Sequence, residues 1–278
     1  MGERKIGARL RELEPYRYRD AMTIDSWNFA DDEAGAVGAR PDRRLAGRVV
    51  HLGDEWGGRD AYAWLSQSVT VPQQWMDRTV VGRFQFGAVS GMNSQFESLL
   101  YVDDVPYQGV DGHHDEVFLP STAPGREVSL TFRLWSGLEG GGRPRPQRYR
   151  FRQAEIAWLD EVVDDVYFTA RAMLATVEAL DANHAVRPAL LAALDRAFRL
   201  IDWQHPGDEA FYHSLSQARN VLLADLAEIP WATPITMQAV GHTHIDVAWL
   251  WRLKHTREKA ARSFSTVLRL MERFPDYI

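Results

Sequence analysis

The chain contains no cysteine. That absence excludes disulfides, thiolate-ligated zinc and thiol nucleophiles, so any bound metal must sit on His, Asp or Glu. Lysine is nearly absent. Only Lys5, Lys254 and Lys259 occur, and the other basic residues are arginine. Bidentate recognition could explain that skew, but base composition of the coding sequence is the favoured cause. Positive charge is not in excess either, since 32 Lys and Arg face 38 Asp and Glu for a net charge of -6. Nucleic acid is therefore not expected as a partner, because phosphate binding needs clustered positive charge. No apolar run approaches the ~18 residues of a membrane span, the first residues Met1-Gly-Glu-Arg-Lys-Ile6 do not resemble a secretory leader, and no Asn-x-Ser/Thr site occurs. No membrane association is expected, and cytoplasmic localisation is the default.

What is present is an ordinary globular balance, with 45% hydrophobic and 25% charged residues. At roughly 150 residues per domain, 278 residues suggest about two domains. Residues 1–55 read as an entry segment and loop, with a short helix over Glu3–Leu13. Residues 56–152 read as an antiparallel β-sandwich: 61–71, 79–86, 97–102, 116–119 and 127–135 alternate in polarity and end at Pro, Gly or Asp turns. Residues 153–230 read as a helical bridge. Helical spacing runs through Ile156, Leu159, Val163, Val166, Ala170, Met173 and Val177, with further helices over 187–203 and 208–227. Ile235–Val240 has strand length, and Leu253–Phe274 has helical periodicity. Residues 231–278 thus read as the first βα unit of an incomplete α/β barrel. One strand and one helix cannot bury their own apolar faces, so 241–278 are expected to be mobile or to adhere to another copy, giving a possible homo-oligomer.

The informative stretch is Gly241-His-Thr-His-Ile-Asp-Val-Ala-Trp-Leu-Trp251. In extended chain, residues i, i+2 and i+4 share a face, so His242, His244 and Asp246 could project together. Imidazole and carboxylate without sulfur suit zinc or another borderline divalent metal. Spacing alone leaves the alternative that the pair is satisfied by backbone and water. Metallo-β-lactamase-like hydrolases want His directly after the Asp, where Val247 stands. Amidohydrolase barrels also open on His-x-His but require nothing of the residues after Asp246.

The wider stretch Ala239–Trp251, followed by Thr256–Met271, resembles the α-mannosidases of glycoside hydrolase family 38, particularly the bacterial type. Leu100–Val117 resembles the all-β region that precedes their catalytic barrel. The resemblance implies an amino-terminal portion of a zinc-dependent enzyme that hydrolyses terminal α-mannosyl linkages of mannose-containing oligosaccharides with net retention. It implies zinc ligation by His244 and Asp246, but not by His242, and places Trp249 beside the sugar. It also implies that nucleophile, acid and a further His ligand lie beyond position 278. No catalytic residue is therefore expected within this chain, which is expected to be inactive alone and to hold zinc weakly or not at all.

The alternative is a non-catalytic carbohydrate-binding or oligomerisation module. Trp56, Trp64, Trp75 and Trp135 could form a sugar-stacking face, although core packing is the favoured reading. Asp103, Asp104, Asp111 and Asp115 with His113 and His114 could hold calcium, although solvated turns are favoured. Asp160, Glu161, Asp164 and Asp165 read as a solvated helix face. Arg257, Arg262 and Arg269 are expected to meet carboxylates of a following barrel or plain solvent.

Overall fold

The computed structural model describes residues 1–42, 46–87, 96–230, 238 and 240–277. Helix α1 (Glu3–Leu13) comes first. The strands are β1 (Tyr18–Thr23), β2 (Ser26–Asp31), β3 (Arg48–His51), β4 (Glu55–Gly58), β5 (Tyr62–Thr70), β6 (Val80–Gln85), β7 (Glu97–Val102), β8 (Val105–Asp111), β9 (Glu116–Phe118), β10 (Glu127–Trp135), β11 (Gln147–Arg150) and β12 (Gln153–Leu159). Helices α2 (Glu161–Ala179), α3 (Arg187–Leu200), α4 (Glu209–Ala227) and α5 (Leu253–Arg273) follow. The contacts divide the chain into two compact units. One comprises residues 1–20 and 159–238, the other 21–158 and 239–277. Among the described residues, no helix is long and apolar enough to cross a membrane.

In the second unit a six-stranded sheet runs β3-β2-β5-β10-β7-β8 and a four-stranded sheet runs β1-β12-β6-β9. β10 lies antiparallel to both β5 and β7, and β6 to both β9 and β12. Alternation decides what faces inward. Ala63 and Leu65 of β5, Leu100 and Val102 of β7, and Leu130, Phe132 and Leu134 of β10 join Phe84, Ile156 and Val117 in one core. Aromatic rings dominate it. Phe132 sits 4.8 Å from Phe84, 5.0 Å from Phe86 and 5.7 Å from Trp27, all edge-on.

Several outward residues of β5, β7 and β10 are also buried, among them Tyr62, Trp64, Leu99, Tyr101, Arg133 and Trp135. Trp64, Leu99 and Tyr101 form a separate cluster on this second face. Helix α5 crosses it. Gly109 of β8 donates its N–H to Thr266 Oγ1 at 3.1 Å, and Lys259 and Arg262 both bond Glu97 of β7. Helix α5 thus has a seat within the chain that the expectation of a mobile or self-adhering segment did not include, while Phe264, Leu268 and Met271 stay exposed on it. The polar and aromatic outer face of the sheet gives α5 a seat that apolar periodicity could not reveal. Arg262 finds its carboxylate on β7, and Arg269 bonds Glu272 at 2.6 Å while its guanidinium stacks 4.9 Å from Tyr107.

The first strands differ from the entry-segment reading. Trp27 and Phe29 alternate inward within β2, at 2% and 4% exposure, so sheet begins well before residue 56. β12 takes the place of the first turns of the helical spacing read from Ile156 onward. Ile156 and Leu159 fit a helical stripe in spacing, yet they belong to strand, and α2 starts only where the Asp160 carboxylate caps it by accepting from Val163 N–H at 3.2 Å. The short β4–β11 ribbon was hidden by Gly57. That residue adopts a φ of +143°, and a Cβ there would meet the Gln147 carbonyl oxygen at 2.2 Å.

The first unit is helical. Ile6, Leu10 and Leu13 of α1 pack with Val166, Ala170 and Met173 of α2, Leu194 and Phe198 of α3, and Phe211 and Leu215 of α4. Asp208 caps α4 by accepting from Phe211 N–H at 2.8 Å, and Pro188 occupies the first turn of α3. The acidic run at the start of α2 is more than a solvated face. Asp164 lies 2.7 Å from Arg17, and Asp165 accepts from Arg219.

Candidate metal site

The Ile235–Val240 strand expected ahead of the motif lies almost entirely outside the described residues. Residues 241–246 carry no regular structure. His244 Nε2 and Asp246 Oδ1 nevertheless meet at 3.1 Å, both side chains substantially exposed. The His242 ring stacks beside His244 at 6.3 Å. These three residues line one side of a cleft of ≈ 540 Å³, and Asp111 and His114 of the β8 rim line another part of it. Trp251 lines the same cleft, with the Lys259 ammonium 4.2 Å from its ring. Trp249 does not line it. It is 64% exposed and touches Trp251 edge-on at 5.4 Å.

An imidazole nitrogen and a carboxylate oxygen at this separation form the donor set that a borderline divalent cation takes. They fit as two ligands of such a site. Among the described residues, no group of three or more His, Asp or Glu donors converges on one point. The calcium alternative is taken apart by the topology. Asp103 and Asp104 form the β7–β8 turn, with φ of +50° and +67°, and Asp111 stands at the far end of β8, a strand of 7 residues. At ~3.3 Å per residue the two ends are about 20 Å apart. Asp111 instead bonds His114 Nδ1 at 3.0 Å. Burial raises the pKa of Asp111, but the bonds from His114 and the His113 N–H outweigh it and hold the carboxyl low. The hydrogen bond to Asp111 raises His114. The tryptophans Trp56, Trp64, Trp75 and Trp135 are all buried, none above 6% exposure.

Spacing could not find the support under the motif, because its two partners are 195 residues apart. Asp60, in the turn before β5, accepts from His255 Nε2 at 2.8 Å and from Trp135 Nε1 at 2.9 Å. His255 is fully buried and stacks on Trp135 at 4.3 Å. Its Nδ1 accepts the Arg252 N–H at 3.0 Å, which fixes the neutral tautomer with the proton on Nε2. Burial depresses the His255 pKa below its ordinary value, against the pull of Asp60 and aided by Lys254 and Arg252. A lowered folded pKa makes the neutral form the stable one. The contribution is complete above the unfolded value of about 6.5 and is lost as pH falls through the folded one. Between about pH 7.5 and about pH 5.5, the melting temperature should fall more steeply for the native chain than for His255→Gln. Parallel melting curves measured by differential scanning fluorimetry would contradict this.

Comparison with known proteins separates the sheet region from the motif and α5, which the structure packs into one unit. Residues 21–157 match the family model described as "Alpha-mannosidase, jelly roll domain". Residues 234–278 match "Glycosyl hydrolases family 38 N-terminal domain". Human α-mannosidase 2C1 is 27% identical over 244 residues, covering 83% of this chain and 22% of the relative. α-Mannosidase G of Dictyostelium discoideum is 26% identical over 251 residues, covering 84% and 22%. The α-mannosidase of Saccharomyces cerevisiae is 22% identical over 283 residues, covering 90% and 25%. The chain therefore spans about a quarter or less of the length of these curated relatives. Among solved structures, a β-glucuronidase of Ruminococcus gnavus aligns at a TM-score of 0.37 and 14% identity, covering 51% of this chain and 29% of that one. The chain thus resembles the amino-terminal part of the family 38 α-mannosidases, with their jelly-roll domain followed by the start of their glycoside hydrolase domain.

Proposed function

We propose that the chain is the amino-terminal part of a zinc-dependent, retaining α-mannosidase acting on terminal α-mannosyl linkages of mannose-containing glycans. In this reading residues 231–278 begin the catalytic α/β barrel and the helices over 161–227 form the bridge to it. The observation that carries the reading is the approach of His244 Nε2 to Asp246 Oδ1 at 3.1 Å, within the stretch that matches the family 38 domain. His244 and Asp246 would hold the metal, which when bound supplies a Lewis acid for neighbouring sugar hydroxyls. Trp249 offers an exposed aromatic face to the sugar ring. Retaining hydrolysis also needs two carboxylates across the glycosidic bond, and the proposal assigns neither to a residue of this chain.

The chain alone, supplied with zinc, is accordingly expected to leave an aryl α-mannoside unhydrolysed. Turnover by highly purified chain that disappears in Asp246→Ala would show that the catalytic carboxylates lie within it and overturn the assignment.

A further inference from the structure

A continuous set of bonds leads from the jelly-roll sheet to the metal-ligand turn. It starts at Asp60, whose own backbone sits at φ +56° and donates its N–H to Gly137 O at 3.0 Å. Its carboxylate is shared by Trp135 of β10 and by the buried His255. Arg252 and Lys254 flank the other oxygen at 3.0 and 3.5 Å. The residue after His255 is Thr256. Its Oγ1 accepts from Ala248 N–H at 3.1 Å and lies 3.4 Å from the Asp246 carbonyl oxygen, to which it donates. Ala248 is the one non-glycine residue of 241–277 with a left-handed backbone, at φ +58°. Such a conformation in an alanine persists only where the surroundings hold it. Here Thr256 holds it, and the turn it closes carries Asp246.

We infer that Asp60 is a positioning residue for the metal-ligand pair, acting through His255 and Thr256 on the Asp246–Ala248 turn, so that the jelly-roll domain is part of the site's architecture rather than a detachable module. This rests on the reading of His244 and Asp246 as ligands. Asp60 is remote in sequence and touches neither of them. Its carboxylate decides where the first turn of α5 sits, and that turn decides where Asp246 points. Two devices make the seat specific: the neutral His255 tautomer, which needs an acceptor at Nε2, and the Trp135 N–H, which needs the same oxygen.

The experiment uses the full chain and two readouts. The first is amide exchange at Ala248 by NMR, with the β5 and β10 amides as the control for folding. The second is cobalt titration, following the visible band that depends on His244. Asp60→Ala is expected to speed exchange at Ala248 about tenfold or more while β10 stays protected. It should weaken cobalt binding by roughly 10- to 100-fold and change the band. Asp60→Asn, which keeps an acceptor at Oδ1, should recover most of the protection. Unchanged exchange at Ala248 in a folded Asp60→Ala would overturn the inference. If that variant does not fold, Thr256→Val removes only the last link, and unchanged exchange there overturns it equally. A native chain that shows no His244-dependent cobalt band refutes the reading of the site, while the exchange result still decides the role of Asp60.

Discussion

Replacing Phe132 by alanine is expected to destabilise the jelly-roll unit by about 3–5 kcal/mol, the cost of emptying a closed aromatic site that cannot collapse. Phe132 has no exposed surface, and three other rings meet it edge-on. It lies on β10, between Leu65 of β5 and Leu100 of β7, so its neighbours are held by hydrogen-bonded strands on both sides. Relaxation into the void would require sliding two ladders at once. A loss of this size is a large share of the ~5–15 kcal/mol that holds an ordinary domain together. Guanidinium unfolding followed by tryptophan fluorescence measures it. Val105→Ala, at a position 61% exposed, serves as the contrast and should change stability by less than about 0.5 kcal/mol. A Phe132→Ala cost below about 1 kcal/mol would mean that the two sheets do not close on this ring.

Glu258→Ala should have an effect of similar size through a different mechanism. Glu258 of α5 is buried and accepts from the Tyr62 hydroxyl at 2.6 Å. Its other oxygen lies 3.8 Å from the buried Arg133 guanidinium, which also sits 3.1 Å from Asp32 and stacks 4.7 Å from the Tyr62 ring. Removing the carboxylate strips one buried cation of a counter-charge and one buried hydroxyl of its acceptor. Breaking a buried pair from one side costs about 3–5 kcal/mol, because the remaining charge stays desolvated. Burial raises the Tyr62 pKa, and the bond to Glu258 raises it further. A spectrophotometric titration should therefore bring Tyr62 down in the variant, provided α5 remains seated. Glu258→Gln keeps an acceptor for Tyr62 and should fall between the two. Equal stability of the alanine variant and the native chain would contradict the seating of α5 on the outer face of the sheet.

That seating marks the limit of what was legible in the chain. Alternation in β5, β7 and β10 was readable because Ala63 and Leu65, Leu100 and Val102, and Val128, Leu130, Phe132 and Leu134 recur at every second position of their strands. The helices α2 to α4 announced themselves by apolar stripes. The outer face of the same strands carries Tyr62, Trp64, Tyr101, Arg133 and Trp135, a mixture that marks neither core nor surface. The partner that covers it, α5, is basic and amphipathic. Its docking depends on Glu97, Asp60 and Glu258, single side chains with no periodic signature. β12 was masked for the opposite reason, because Ile156 and Leu159 satisfy a helical spacing that runs on into α2. At the motif, the meeting of His244 with Asp246 was legible from the two-residue spacing. That Trp251 lines the cleft was not legible, because the two-residue spacing does not extend beyond Asp246.

The most direct test of the central claim is equilibrium dialysis of the native chain and His244→Ala against graded zinc, with elemental analysis. Two donors leave a four-coordinate metal half supplied by solvent. The native chain should bind one zinc weakly, release it to a chelator, and lose that binding altogether in His244→Ala. Identical zinc uptake by the two proteins at every concentration would contradict the assignment of His244 and Asp246 as the metal-holding pair.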